Sequence, residues 1–92
     1  MQNLQFLRVA SVAGRADASE SSLRGWVKAG LWPKPAHLGP RTSGWYRHEV
    51  DAMLAARAGG QPESKIRDLV RDIEAQRAAL ATKLSLAVAG GL

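Results

Sequence analysis

Ninety-two residues with a formal charge of +5 and no cysteine describe one small domain with a single modest core, and they exclude disulfides and thiolate metal sites. The opening MQNLQFLR lacks the charged segment, apolar run and small-residue cleavage site of a secretory leader, and no run is long enough to span a bilayer, so a cytoplasmic location is expected. The charge is uneven: residues 1–60 hold eight Lys/Arg against four Asp/Glu, while 61–92 hold five against four. Positive charge concentrated in a small domain suits a polyanion, through phosphate contacts and counterion release; the alternative is a soluble surface that is merely basic.

In chain order, Phe6-Leu7-Arg8-Val9 is a short apolar lead-in, either a small strand or an extended segment laid on the first helix. Val9, Val12, Ala13 and Ala16 form a narrow apolar stripe that predicts a helix near 9–16, weakened by Gly14. After the short connection Asp17-Ala18-Ser19 a second helix follows. Ser19 can cap it by accepting orphan N–H groups, while Ser22 has no carboxylate with which to complete a reciprocal box. Leu23, Trp26 and Val27 recur at i, i+3 and i+4 and predict the buried face; Ser21, Arg24, Gly25 and Lys28 share the opposite side. That side offers two cations, a hydroxyl and, at Gly25, almost no bulk, so it can approach another surface closely. Gly30 is placed to leave the helix through a left-handed conformation, and Pro33 and Pro35 prevent its continuation. Two short helices so joined suit a helix-turn-helix, whose second helix lies in the major groove, but they also suit small helical proteins with no such role.

Residues 31–46 are too rich in proline and glycine for a helix, yet carry Leu31, Trp32, Leu38, Trp45 and Tyr46. Turn signals at Gly39-Pro40 and Ser43-Gly44 predict a hairpin with arms at 37–38 and 44–46 and Arg41 at its projecting tip. A basic hairpin beside a DNA-reading helix is a wing, placed to touch phosphates or enter the minor groove. The alternative is a surface loop whose tryptophans plug a small core, and Trp45 is expected to be buried in either case. Residues 47–57 predict a third helix with Val50, Met53 and Leu54 inward and Gly59-Gly60 as its stop. His48 and Glu49 make no metal centre, because His37 is the only other histidine and no spaced carboxylate completes a ligand set. There is no phosphate-binding Gly-rich loop, GxSxG elbow or nucleophile with a base, so no catalytic residue, metal or cofactor is assigned.

Beyond Gly60 the chain changes character. Pro62 suits the first position of a helix, and nothing breaks the pattern until Gly90-Gly91. Ile66, Val70, Ile73, Arg77, Leu80, Leu84 and Ala87 are spaced 4, 3, 4, 3, 4, 3, as in a coiled-coil seam that Leu69 broadens and Arg77 interrupts. About 26 residues of helix would extend roughly 39 Å, too far to bury the whole stripe on its own domain. The expected organisation is a domain over 1–60 and a long helix over 61–92 that oligomerises through Ile66, Val70, Ile73, Leu80 and Leu84. Docking of another protein, or a helix that folds back or frays, are the alternatives. A fragment ending at Gly60 is then expected to fold by itself.

The order FLRV…V over 6–12, SESSLRGWVKAG over 19–30, WPKPAHLG over 32–39 and GWYRHEVDAMLAAR over 44–57 resembles the AlpA family of small phage-type regulators, relatives of excisionases and of the MerR winged-helix group. The resemblance covers roughly residues 6–57. It implies a mainly α fold, a winged helix-turn-helix with a small β-hairpin wing, here followed by a long C-terminal helix. It also implies a non-enzymatic, sequence-specific binder of double-stranded DNA that regulates prophage or plasmid genes or bends DNA at attachment sites. The family pattern, Ser-Arg-Ser/Thr-Thr followed by Leu or Ile, Tyr and Arg, is matched by Ser19, Ser21, Ser22 and Leu23. Glu20 replaces the arginine, Arg24 stands where tyrosine is common, and Gly25 replaces another arginine. The DNA-binding set is then Ser19, Ser21, Ser22, Arg24, Lys28, Lys34 and Arg41, with Glu20 either accepting from a cytosine amino group or pairing with Arg24 four residues on. The expected partners are double-stranded DNA and a second copy through the C-terminal helix, or else a recombinase, transcription or packaging protein. A phage terminase small subunit would join the same kind of head to an assembly helix, and an interaction adaptor that has lost DNA binding is the reading without nucleic acid.

Overall fold

A computed structural model of the chain describes residues 5–90, with side chains described through residue 82. It contains strand β1 (Phe6–Arg8), helices α1 (Val9–Arg15) and α2 (Glu20–Lys28), strands β2 (Ala36–Gly39) and β3 (Thr42–Tyr46), helix α3 (Arg47–Ala58) and helix α4 (Glu63–Gly90). The molecule is mainly helical, with one small antiparallel sheet in the order β1-β3-β2.

The helix stops are local and chemical. After α1, Asp17 takes φ 52°, and the N–H groups of Asp17 and Ala18 donate to the carbonyls of Gly14 and Ala13 at 3.2 and 3.0 Å. After α2, Gly30 takes φ 78°, and the N–H groups of Gly30 and Leu31 donate to Val27 and Trp26 at 3.1 and 2.8 Å. Both are Schellman endings, which satisfy orphan carbonyls through one left-handed residue; glycine does this without a Cβ penalty and aspartate tolerates it. Ser19 opens α2 as its spacing suggested, accepting from the Ser22 N–H at 3.0 Å.

The apolar lead-in is a strand. Leu7 lies opposite Trp45 and Arg8 opposite Gly44, so β3 is the central strand. Gly44 is therefore a mid-strand residue and not part of a turn: a Cβ there would sit 2.0 Å from the Leu7 carbonyl oxygen. The hairpin reverses instead at Pro40-Arg41, between β2 and β3.

A single core draws Leu7 from β1, Val12 from α1, Leu23 from α2, Trp45 from β3, Met53 from α3, and Trp32 from the loop between α2 and β2. It also takes Ile66, Val70 and Ile73 from α4, which are only 4%, 5% and 5% exposed. This corrects the expectation that these three side chains form an open oligomerisation seam. The short link at Gly59-Gly60 lets α4 pack back against α3, and the i, i+4, i+7 stripe of its first half is covered by the chain's own core. The break at Gly60 is thus one of secondary structure and not of packing. Leu80 is only partly buried, and Leu84 lies outside the residues whose side chains are described. No helix among the described residues is long and apolar enough to cross a membrane.

Candidate nucleic-acid interface

The second helix is held from behind and left open in front. Leu23 is fully buried. Trp26, half-buried, packs on Trp32 with ring centroids 5.9 Å apart, and the Arg57 guanidinium of α3 lies over the Trp26 ring at 3.9 Å, a cation–π contact tying α3 to α2. Trp32 in turn meets Trp45 edge to face at 6.4 Å, and the Trp45 indole N–H donates to the Pro33 carbonyl at 2.8 Å. The tryptophans thus form a ladder from α2 through the proline-rich loop to the central strand.

On the open side Ser21, Arg24, Gly25 and Lys28 are all exposed. A Cβ built on Gly25 meets nothing within 4 Å. Arg24 pairs with Glu20 at 3.5 Å, with side chains 71% and 48% exposed, so the tie is weak and easily released to a ligand. Glu20 is accordingly a partner of Arg24 along the helix. The Ser19 hydroxyl both caps the helix and donates to Ser22 Oγ at 2.9 Å, which engages Ser19 and Ser22 in the helix start; Ser21 carries no such role.

Arg24 and the hairpin meet in one cleft. A recess of about 300 Å³ is lined by Val9, Arg24, Val27, Pro35, Ser43 and Trp45, so the base of the hairpin and the exposed face of α2 open to the same side. Ser43 enters this group only through the strand pairing, and no sequence signal marks it. Arg41 is exposed at the reversal of the hairpin. Lys34 lies elsewhere: it lines a second recess with Val27, Arg67, Val70, Arg71 and Glu74, toward α4.

The loop between α2 and β2 is clamped by α4. Arg67 donates to the carbonyl of Ala29, at the end of α2, at 2.8 Å. Glu74 accepts from the Lys34 backbone N–H at 2.9 Å, and Arg77 donates to the Lys34 carbonyl at 2.8 Å. Arg77 also makes two bonds to the Glu49 carboxylate, at 3.0 and 2.9 Å, while that carboxylate accepts from the Tyr46 N–H at 3.0 Å. Glu49 is 3% exposed. A buried carboxylate with three donors is satisfied, and side-on arginine geometry fixes the approach of α4 to the start of α3. Arg77, which interrupts the seam in sequence, is therefore an anchor of α4 on the rest of the chain.

The charge pattern along the sequence favours the same stretch, with ion pairs from Arg24 to Glu20 and from Arg47 to Asp51 at its two ends. Between Glu20 and Glu49 the chain carries five cations, Arg24, Lys28, Lys34, Arg41 and Arg47, and no carboxylate. The stretch spans the exposed face of α2, the clamped loop, the whole hairpin and the start of α3. Compared with protein-family models, with curated proteins and with solved structures, the chain matches none.

Proposed function

We propose that the chain is a sequence-specific double-stranded DNA-binding protein of the winged helix-turn-helix kind, acting as a transcriptional regulator or excisionase-like factor. The observation that carries this is the cleft shared by the open face of α2 and the β2–β3 hairpin, within a stretch that holds five cations and no carboxylate between Glu20 and Glu49. In this reading α2 lies in the major groove, Arg24 donates to a base edge, Ser21 and Lys28 hold phosphate, and Arg41 extends from the hairpin as the wing contact. Gly25 lets the helix backbone come close to the groove floor. Binding requires no reaction and no cofactor.

Assembly through α4 is also proposed, in a reduced form. With Ile66, Val70 and Ile73 covered by the core, the remaining seam is Leu80, Leu84 and Ala87, far short of the three to four heptads that sustain a coiled coil. The free chain is then a monomer whose α4 ends meet when two copies bind neighbouring half-sites. Packaging by a terminase-like protein uses the same DNA surface and differs in the partner of α4.

Titration of a labelled random-sequence duplex at several salt concentrations tests the proposal. A DNA-binding module binds at low salt and loses affinity steeply as salt rises. No binding at low salt would point to the adaptor reading.

A further inference from the structure

Resting on the DNA-binding reading, we infer that Leu38 on the hairpin is an apolar wedge for the minor groove of duplex DNA, where it unstacks a base step while Arg41 fills the groove beside it. Leu38 is 58% exposed and is the one large hydrophobic side chain left exposed among the described residues. The backbone puts it there. His37 pairs with Ser43 and Gly39 with Thr42, so Leu38 is an extra residue with no opposite number, a β-bulge on an edge strand. Bulges re-aim a side chain. Here the usual alternation is broken, and His37 and Leu38 are both exposed, followed by exposed Pro40 and Arg41.

The base of the hairpin is packed and bonded, while Pro40 and Arg41 at its tip are exposed. Trp45 is 2% exposed and bonded to Pro33, and Ala36 pairs with Gly44. A stiff two-stranded finger with an apolar side chain and a guanidinium at its end has the chemistry of minor-groove insertion: leucine unstacks, and arginine is drawn to the negative potential of a narrow groove. A protein partner is the less fitting occupant, since Leu38 is the one exposed large hydrophobic side chain among the described residues and makes no apolar patch by itself. The cost of unstacking is lowest at pyrimidine–purine steps, so such a step is expected where the hairpin falls, beside the bases faced by α2.

The test uses the full chain and a duplex selected by it from a random pool, with 2-aminopurine placed in turn at each flanking position. The wild type should raise the fluorescence of the probe at one flanking step, as unstacking does. Leu38→Ser should abolish that rise and lower affinity by about tenfold, with an unchanged melting temperature because the side chain is exposed. Arg41→Ala should lower affinity while the rise persists in the saturated complex. A selected duplex that binds wild type and Leu38→Ser alike, or shows no rise at any flanking step, overturns the wedge and leaves the DNA reading intact. A chain that retains no duplex from the pool overturns both, and a Leu38→Ser defect confined to capture of a protein assigns the residue to a different partner and overturns the wedge.

Discussion

Two glycines with opposite surroundings separate binding from folding at the residue scale. Gly25 sits mid-helix with open space around it, where alanine is favoured over glycine by about 1 kcal/mol. Gly25→Ala should therefore raise the melting temperature while weakening duplex binding, because the added methyl lies on the face proposed to approach DNA. Thermal circular dichroism and fluorescence anisotropy on the same sample check this, and tighter or unchanged binding would remove Gly25 from the interface. Gly44 is the reverse. A Cβ there overlaps the Leu7 carbonyl at 2.0 Å, so Gly44→Ala should separate β1 from β3 and unfold most of the chain, and a wild-type melting curve for that variant would contradict the observed strand register. Both glycines are visible in the sequence, but only their neighbours distinguish them: Gly25 lies on a helical face deducible from the spacing of Leu23, Trp26 and Val27, whereas Gly44 looks like a turn residue until the strand six positions from the N-terminus is known to pair with it.

Among the elements, α1, α2 and α3 were legible because their apolar positions recur at helical spacing, with a cap for α2 and glycine stops for α2 and α3. Ser19 caps, and Gly30 and Gly60 terminate in left-handed conformations. The hairpin was legible as an element but not in register, since the bulge at Leu38 leaves no local mark. The packing of α4 was legible only as one alternative among three, a helix that folds back. A 4-3-4-3 stripe is the same pattern whether it is covered by another chain or by its own domain, and what decides is Arg77, whose meaning depends on Glu49 twenty-eight positions earlier. Removing that tie gives a prediction for the element. Arg77→Ala leaves a buried carboxylate with one donor, at a cost of about 3–5 kcal/mol, a large share of the stability of so small a domain. Arg77→Lys should recover only part of it, because an ammonium group cannot supply the paired side-on bonds to Glu49 together with the bond to the Lys34 carbonyl. Replacing both residues, as Glu49→Leu with Arg77→Leu, should recover more than Arg77→Ala alone. Urea unfolding of the four proteins orders them, and equal stability of wild type and Arg77→Ala would show that α4 is not anchored there.

For the whole molecule, one core drawn from β1, β3 and all four helices means that the surface proposed to face DNA depends on α4. A chain cut after Gly60 loses Ile66, Val70 and Ile73 and leaves Glu49 without Arg77, so it should be largely unfolded by circular dichroism, whereas a chain cut after Thr82 keeps every described anchor and should fold and bind a single half-site as the full chain does. Folding of the shorter fragment would restore the division at Gly60. The central claim remains that the open face of α2 reads base sequence, and the most direct measurement is the affinity ratio between a selected duplex and its scrambled counterpart, for the wild type and for the Arg24→Ala, Lys28→Ala double variant. The double variant should melt as the wild type does, bind both duplexes with a salt slope reduced by about one unit through the lost phosphate contact, and lose discrimination worth about 1–3 kcal/mol through the lost base contact. An undiminished ratio in a folded double variant would place sequence reading elsewhere on the molecule.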